Sequence, residues 1–219
     1  MITSSQSTLK WPKVRFGDVV HSVKVDVNPE TSGLERYVAG EHMETDNLHI
    51  INWGNIGNGY LGPAFHRKFV KGQVLYGSRR TYLRKVAVAE FDGICANTTL
   101  VLEPKDGSLL PELLPFIMQS ESFTEFSVKN SKGSVNPYIN WSDLARYEFP
   151  LPPLDEQCRI AEILWAADVR AILEDHCHDA RGSATRLLGA PGGSPRHQPQ
   201  HWLRCRRWHE RLAGRVRSR

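Results

Sequence analysis

Short apolar runs that end at turn residues occupy most of the chain before residue 150, and this pattern predicts β-strands. The predicted strands are residues 48–53, 73–76, 85–91, 98–102 and 147–151. Residues 111–126 predict a helix that settles near Pro115, because proline is tolerated only in the first turn of a helix. A short turn or helix is predicted at residues 140–144. Strands and helices together predict an α/β domain of mixed α+β type.

A second helix is predicted directly after Pro152 and Pro153, which end the last strand. Asp155 is the predicted N-cap, and Glu156 places negative charge in the first turn, where it stabilises a helix. Apolar residues then recur on one helix face and predict a surface that packs on the domain itself or on another helix. These residues are Ile160, Ile163, Leu164 and Ala167.

Composition predicts a globular protein with a core, since 40% of the 219 residues are hydrophobic and 24% are charged. No apolar run is long enough to cross a bilayer. The polar residues 1–10 lack the apolar segment of a secretion signal and predict a disordered leader on a cytoplasmic protein. The four cysteines form no Cys-x-x-Cys pair, which favours free thiols over a disulfide framework.

The net charge of +4 is distributed unevenly along the chain. Residues 169–219 contain 11 arginines, no lysine and 4 acidic residues, whereas the preceding residues carry 17 basic and 20 acidic residues. The basic pI therefore gives no evidence that the body of the protein binds nucleic acid. Residues 177–219, rich in arginine, glycine and proline, are predicted to be disordered.

Two local clusters in the body carry the side chains that contact DNA in other proteins. Arginine can grip guanine through two hydrogen bonds, and lysine, serine and asparagine can donate to phosphates. The candidates in the first loop are Arg79, Arg80, Tyr82 and Arg84, and those in the second are Lys129, Lys132, Ser134 and Asn136. The alternatives are a solvated hairpin tip for the first loop and a plain connection for the second.

Catalytic and cofactor motifs give no convincing match. The glycine-rich residues 54–62 match neither the dinucleotide fingerprint nor a P-loop and are interpreted as a turn. Asn136-Pro137-Tyr138 resembles the motif of adenine amino-methyltransferases but lacks its second proline. A four-residue spacing of His197, His201, Cys205 and His209 suits Zn²⁺ on a helix, but Pro199 interrupts it. We therefore predict no catalytic residue, no metal and no cofactor.

Three segments in order resemble the specificity (S) subunit of type I restriction–modification systems. They are residues 71–104, residues 113–126 and residues 132–164, which contain KGSVNPYINWSDL and PLPPLDEQCRI. The resemblance implies a non-catalytic subunit that binds duplex DNA and positions the methyltransferase (M) and restriction (R) subunits. It implies a DNA target-recognition domain at residues 11–153 and the start of a spacer and assembly helix at residues 154–176.

The sequence departs from that family in having one recognition domain where two are expected, and its helix pattern fades after Ile172. Three interpretations stay open: a half-subunit that dimerises, a truncated remnant altered by a reading-frame change, or a small N6-adenine DNA methyltransferase. Binding of S-adenosylmethionine by the chain alone would favour the last of these.

Overall fold

The computed structural model describes residues 11–105 and 107–168, and the chain divides into two compact units, Met1–Gln157 and Cys158–Arg219. The strands of the first unit are β1 (Lys13–Arg15), β2 (Val20–Val23), β3 (Val25–Asp26), β4 (Arg36–Val38), β5 (Gly54–Asn55), β6 (Phe65–Phe69), β7 (Val74–Gly77), β8 (Val86–Val88), β9 (Gly93–Ala96), β10 (Thr99–Pro104) and β11 (Glu148–Pro150). The helices are α1 (Phe16–Val19), α2 (Leu114–Gln119), α3 (Glu121–Lys129), α4 (Trp141–Leu144) and α5 (154–168), and a 3₁₀ turn covers Thr81–Leu83.

Three sheets organise the strands. One has the order β2-β10-β7-β8 with every pair antiparallel, and another has the order β3-β6-β9-β4-β5, in which β4 and β9 run parallel. Strand β1 pairs with β11, so the first and last strands of the described chain lie side by side. The predicted mixed α+β class followed by a C-terminal helix is therefore confirmed.

The hydrophobic core draws on both larger sheets. Each contributes fully buried side chains, such as Leu75 and Val101 from the four-stranded sheet and Phe69 and Cys95 from the five-stranded one. Strand β8 is buried on both faces, which explains why its sequence is apolar at every position rather than alternating. A strand covered on both sides is a rigid support for the loop that precedes it, and that loop carries the first group of candidate residues.

Aromatic rings form a second packed cluster beneath helix α3. Phe123 packs edge-on against Phe16, Tyr76 and Tyr147, with ring centroids 5.3, 5.8 and 5.1 Å away. Edge-on contacts of this kind are favourable because the positive ring edge meets the negative ring face. Tyr76, which borders the first candidate loop, belongs to the core because it is only 2% exposed, and this burial raises the pKa of its hydroxyl to about 12.

Three predicted elements differ from the structure. Residues 48–53 form no strand; Leu48, His49 and Ile50 are buried, and the Leu48 carbonyl accepts one hydrogen bond from Val88 without a continuing ladder. The helix predicted at residues 111–126 breaks into α2 and α3 at Ser120, whose extended backbone and side chain cap α3 by accepting from Phe123 N. Helix α5 begins at residue 154, so Asp155 lies inside its first turn and is not the predicted N-cap.

The buried Gln157 ties the start of α5 to the loop before α2. Its carbonyl oxygen accepts from Leu110 N at 2.8 Å, and its amide donates to the carbonyls of Ser108 and Pro152 at 2.9 and 2.8 Å. Gln157 is 0% exposed, so these contacts satisfy side-chain polar groups of its own that water cannot reach. This glutamine is the one in the Leu-Asp-Glu-Gln run, which gives that part of the sequence a structural purpose.

The predicted leader (1–10), the tail (177–219) and the His197–His209 spacing lie outside the described residues. No helix in the described part of the chain combines the length and apolarity needed to span a bilayer.

Candidate nucleic-acid interface

The two candidate loops are joined by backbone hydrogen bonds. Arg80 N donates to the Pro137 carbonyl at 2.6 Å, and Ile139 N donates to the Ser78 carbonyl at 2.9 Å. These two bonds flank an antiparallel bridge between Arg79 and Tyr138. The segments are almost 60 residues apart in sequence, yet they lie edge to edge.

A second antiparallel bridge places Lys132 on the other side of Tyr138. Lys132 and Tyr138 exchange both backbone hydrogen bonds, at 2.8 and 2.9 Å, and close a five-residue loop between them. Residues directly opposite each other in antiparallel strands project their side chains from the same face. Arg79, Tyr138 and Lys132 therefore form one line of side chains, which we call the basic row.

The basic row faces solvent. Arg79 and Lys132 are exposed, and the Tyr138 ring between them is 41% exposed. Among the described residues, no acidic side chain forms an ion pair with Arg79. A free guanidinium beside an accessible aromatic ring is a surface that can form hydrogen bonds with a base edge or a phosphate.

Arg80 and Asn136 contact each other instead of standing free. The Arg80 Nε donates to the Asn136 side-chain oxygen at 3.0 Å, while both side chains stay exposed. Arg80 also has a left-handed backbone with φ 51°, which is uncommon for a residue with a side chain. The contact fixes the two loops relative to each other, so of the two adjacent arginine candidates Arg79 is the one whose side chain has no ion pair or hydrogen bond among the described residues.

Tyr82 and Arg84 sit in the second half of the first loop and differ in environment. Tyr82 is 52% exposed in the 3₁₀ turn. Arg84 forms an ion pair with Asp46 at 2.8 Å and donates to the Gln119 carbonyl at 2.6 Å. The guanidinium of Arg84 therefore ties the loop to α2 and to the segment around Asp46, and its contact with DNA stays a prediction.

The two remaining DNA candidates lie on either side of Lys132 in sequence. Ser134 is exposed within the five-residue loop that the Lys132–Tyr138 pair closes. Lys129 is in the last turn of α3, where it lines an open cavity of about 370 Å³ together with Glu125, Arg146 and Glu148. The structure thus places Ser134 beside the basic row and Lys129 in a cavity with two carboxylates.

An aspartate on helix α4 holds the lysine of the basic row. Lys132 Nζ lies 2.9 Å from Asp143 Oδ2, and Arg146 Nη2 donates to Asp143 Oδ1 at 2.8 Å. The carboxylate side chain is only 12% exposed, whereas those of Lys132 and Arg146 are 56% and 63% exposed. Hydrogen bonding from the Lys132 ammonium is the main cause that lowers the pKa of Asp143 below its usual value.

The segment that resembled a methyltransferase motif uses its acceptors internally. The side-chain oxygen of Asn136 and the carbonyl of Pro137 both accept from Arg80. In the methyltransferase motif such acceptors must be free to hold the amine of a flipped base. Across the residues that the structure describes, His, Cys, Asp and Glu side chains nowhere gather into a set suited to a metal ion.

The four predicted assembly residues all lie on helix α5. Ile163 and Ala167 are exposed, and Ile160 and Leu164 are partly buried. Ile163 is the most exposed of the large apolar residues on α5, at 70%. A role of this stripe in subunit assembly stays a prediction.

Sequence reasoning missed two residues that organise this site. In the sequence, Tyr138 falls in the segment that resembles a methyltransferase motif, and Asp143 falls in a predicted short turn. Their proximity to Arg79 and Lys132 depends on pairing between distant segments, which local patterns do not encode. The usable signal was the dense run of polar and aromatic residues from Lys132 to Asp143.

Comparison with known proteins assigns the family. Residues 9–175 match the model of the type I restriction modification DNA specificity domain. The chain is 33% identical over 157 residues to the type I restriction enzyme EcoDI specificity subunit of Escherichia coli, covering 68% of this chain and 33% of that protein. A specificity domain is a recognition component rather than a catalyst, so the prediction of a non-catalytic module is confirmed.

Solved structures show the same fold. The HsdS subunit from Thermoanaerobacter tengcongensis matches with a TM-score of 0.65 at 21% identity, covering 86% of this chain and 52% of that one. A chain from a structure on complex assembly and conformational transition of the type I R-M system matches with a TM-score of 0.63 at 22% identity, also covering 86% and 52%. The chain thus spans about one third of the curated relative and half of the solved subunits. It belongs to the type I restriction modification DNA specificity domain family.

Proposed function

We propose that this chain reads one half-site of a bipartite duplex DNA target within a type I restriction–modification complex. The observation that carries the proposal is the basic row, in which Arg79, Tyr138 and Lys132 stand side by side on one exposed face. Arg79 contacts base edges in the major groove, and Lys132 and Ser134 position phosphates. Tyr138 packs its ring between these two kinds of contact.

The physical basis is the division between free and engaged cations. A base-reading arginine must present its guanidinium without a competing carboxylate, and Arg79 does so among the described residues. Its backbone is nevertheless held on both sides by the bonds of Arg80 and Ser78 to the second loop. A free side chain on a fixed backbone is what sequence-selective contact requires, since a mobile reader loses affinity to ordering entropy.

The proposed partners follow from the family. The methyltransferase subunit binds at helix α5 through the stripe that contains Ile160 and Ile163, and the restriction subunit joins through the complex. We further propose that two copies of the domain associate as a self-dimer, which would bring together readers for two half-sites. The chain acts in the compartment that contains the DNA, and the sequence predicts that this compartment is the cytoplasm.

The test is to co-express the chain with a type I methyltransferase subunit, purify the complex, and map N6-methyladenine in the host DNA. We expect co-purification and one methylated bipartite motif. Replacing Arg79 by alanine should weaken binding to that motif by about 1–3 kcal/mol and relax the sequence preference at one position.

Arg15→Ala is the matched control, because it also removes one exposed arginine but its side chain pairs with Glu148 on β11. It should leave both motif and affinity unchanged. Unaltered affinity and motif after Arg79→Ala would refute the assignment of the basic row. Failure of the full chain to co-purify with the subunit would instead support the remnant interpretation and overturn the proposal.

A further inference from the structure

Asp143 pairs with two cationic side chains, Arg146 and Lys132, and we call these three residues the clamp. Arg146 lies three residues further along the chain and bonds one carboxylate oxygen at 2.8 Å. Lys132 comes from the basic row and approaches the other oxygen at 2.9 Å. One carboxylate thus neutralises a cation of the proposed DNA surface while it keeps a second cation of its own.

Burial makes the second cation important. A carboxylate that is 12% exposed is costly to leave unpaired, because little water remains to solvate it. With Arg146 in place, Lys132 can leave Asp143 without leaving the carboxylate alone. The Lys132 side chain is more than half exposed, so a DNA phosphate can approach it.

We infer that Asp143 is a specificity-determining residue that withholds Lys132 from DNA until the correct half-site docks. This inference rests on the proposed function and adds a residue that does not itself touch DNA. In a loose, hydrated complex with arbitrary DNA, the phosphates compete poorly with a carboxylate at 2.9 Å. In the closely docked specific complex, a phosphate takes Lys132 and Arg146 alone remains on Asp143.

The consequence is a selective loss of non-specific affinity. Non-specific binding derives almost entirely from phosphate contacts and counterion release, and each contact adds about 0.9 to the slope of log K against log salt. A lysine held on a carboxylate contributes nothing to that slope. Neutralising Lys132 before docking therefore lowers affinity for wrong DNA while the specific complex retains the contact.

The experiment measures salt-dependent binding of the assembled complex to two duplexes, one with the mapped motif and one of equal length without it. Asp143→Asn is expected to raise affinity for the second duplex about eightfold at 0.1 M salt and to steepen its slope by about 0.9. Lys132→Ala is expected to leave that slope unchanged and to reduce the slope for the motif duplex by about 0.9. Combining both substitutions should restore the wild-type slope on the second duplex.

Arg146→Ala is the matched variant on the exposed side of the clamp. Without Arg146, Asp143 retains Lys132, so the motif duplex should lose the same slope increment while the other duplex is unaffected. A merely structural role for Asp143 would lower both affinities together and would not shift the slopes separately.

Either of two results would overturn the inference: an unchanged non-specific slope in Asp143→Asn, or an equal slope loss on both duplexes in Lys132→Ala. Lys132→Ala decides the matter even if Asp143→Asn fails to fold, because the lysine side chain is exposed. If Arg79→Ala also leaves motif binding intact, the proposed DNA surface itself is wrong. If Arg79→Ala abolishes the preference for the motif, but Asp143→Asn keeps the wild-type salt slopes on both duplexes, only the role of Asp143 is wrong.

Discussion

Gln157 and the basic row are two polar regions of the same recognition unit, and they use their hydrogen-bonding groups in opposite ways. Gln157 is fully buried and directs its carbonyl and amide groups to three backbone partners within the chain. The basic row fixes its backbone through the same kind of bonds but leaves the Arg79 side chain in solvent. Gln157 uses its polar groups to hold the fold together, whereas the basic row leaves polar side chains available for a ligand.

The difference separates motif residues that build the domain from those that act for it. Both regions fall in the segments by which the sequence resembled a specificity subunit. Resemblance alone assigned Lys132 and the Glu-Gln run to the same protein family without distinguishing their tasks. Side-chain satisfaction makes the distinction, since a buried polar group must find partners within the fold and an exposed one can find them in a ligand.

The largest expected effect is at Gln157. Gln157→Leu removes the hydrogen bonds to Leu110 N and to the carbonyls of Ser108 and Pro152, so we expect the free energy of unfolding of the full chain to fall by about 3 kcal/mol. Urea denaturation measures the change. Arg79→Ala serves as the contrasting variant and should alter stability by less than about 0.5 kcal/mol. Equal stability of the two variants would remove the contrast between the regions.

A second prediction compares Arg79 and Arg84, which lie towards opposite ends of the first loop. Arg84 is engaged by Asp46 and by the Gln119 carbonyl and is partly exposed, so Arg84→Ala should cost about 1 kcal/mol of stability. Its motif affinity, measured well below the unfolding midpoint, should match wild type. Arg79→Ala should show the reverse pattern, with affinity lost and stability kept. A loss of affinity in Arg84→Ala that exceeds its loss of stability would place Arg84 in the DNA contact.

The fold was predictable where the local pattern and the tertiary environment agreed. Strands β7, β10 and β11 and helix α4 lie where apolar runs and turn residues predicted them. Strand β6 was missed because Phe65–Phe69 contains His, Arg and Lys. Its Arg67 is buried yet paired with Asp26 at 2.6 Å, which no local pattern shows.

The strand predicted at residues 48–53 is wrong for the opposite reason, since Leu48 and Ile50 are apolar and buried but the segment forms no continuous ladder with a neighbouring strand. The site divides in the same way. Arg79 and Lys132 were predictable as residue types in polar loops, whereas their alignment on Tyr138 depends on contacts between distant segments. The sequence also does not show whether a cationic side chain is free or paired with a carboxylate. Arg84 and Lys132 each pair with an aspartate, whereas Arg79 forms no ion pair among the described residues.

The smallest expected effect is the acid sensitivity of the clamp beneath the basic row. Lys132 and Arg146 lower the pKa of Asp143 below its usual 3.8, so the ionised carboxylate stabilises the fold above that pH. This contribution is lost as the pH falls below 3.8 through the lowered native value. The stability difference between the full wild-type chain and Asp143→Asn should therefore be constant from pH 7 to about pH 4 and shrink below it.

Urea midpoints at pH 7, 5, 4 and 3 measure this difference. Asp26, whose pKa Arg67 also lowers, titrates in both proteins and cancels from the comparison. Lys132→Ala removes the main cause of the lowered pKa of Asp143, so its own difference from a Lys132→Ala, Asp143→Asn double variant should shrink less. A difference that persists undiminished at pH 3 would mean that Asp143 acts through packing and not through its charge, and Asp143 would then share the purely structural character of Gln157.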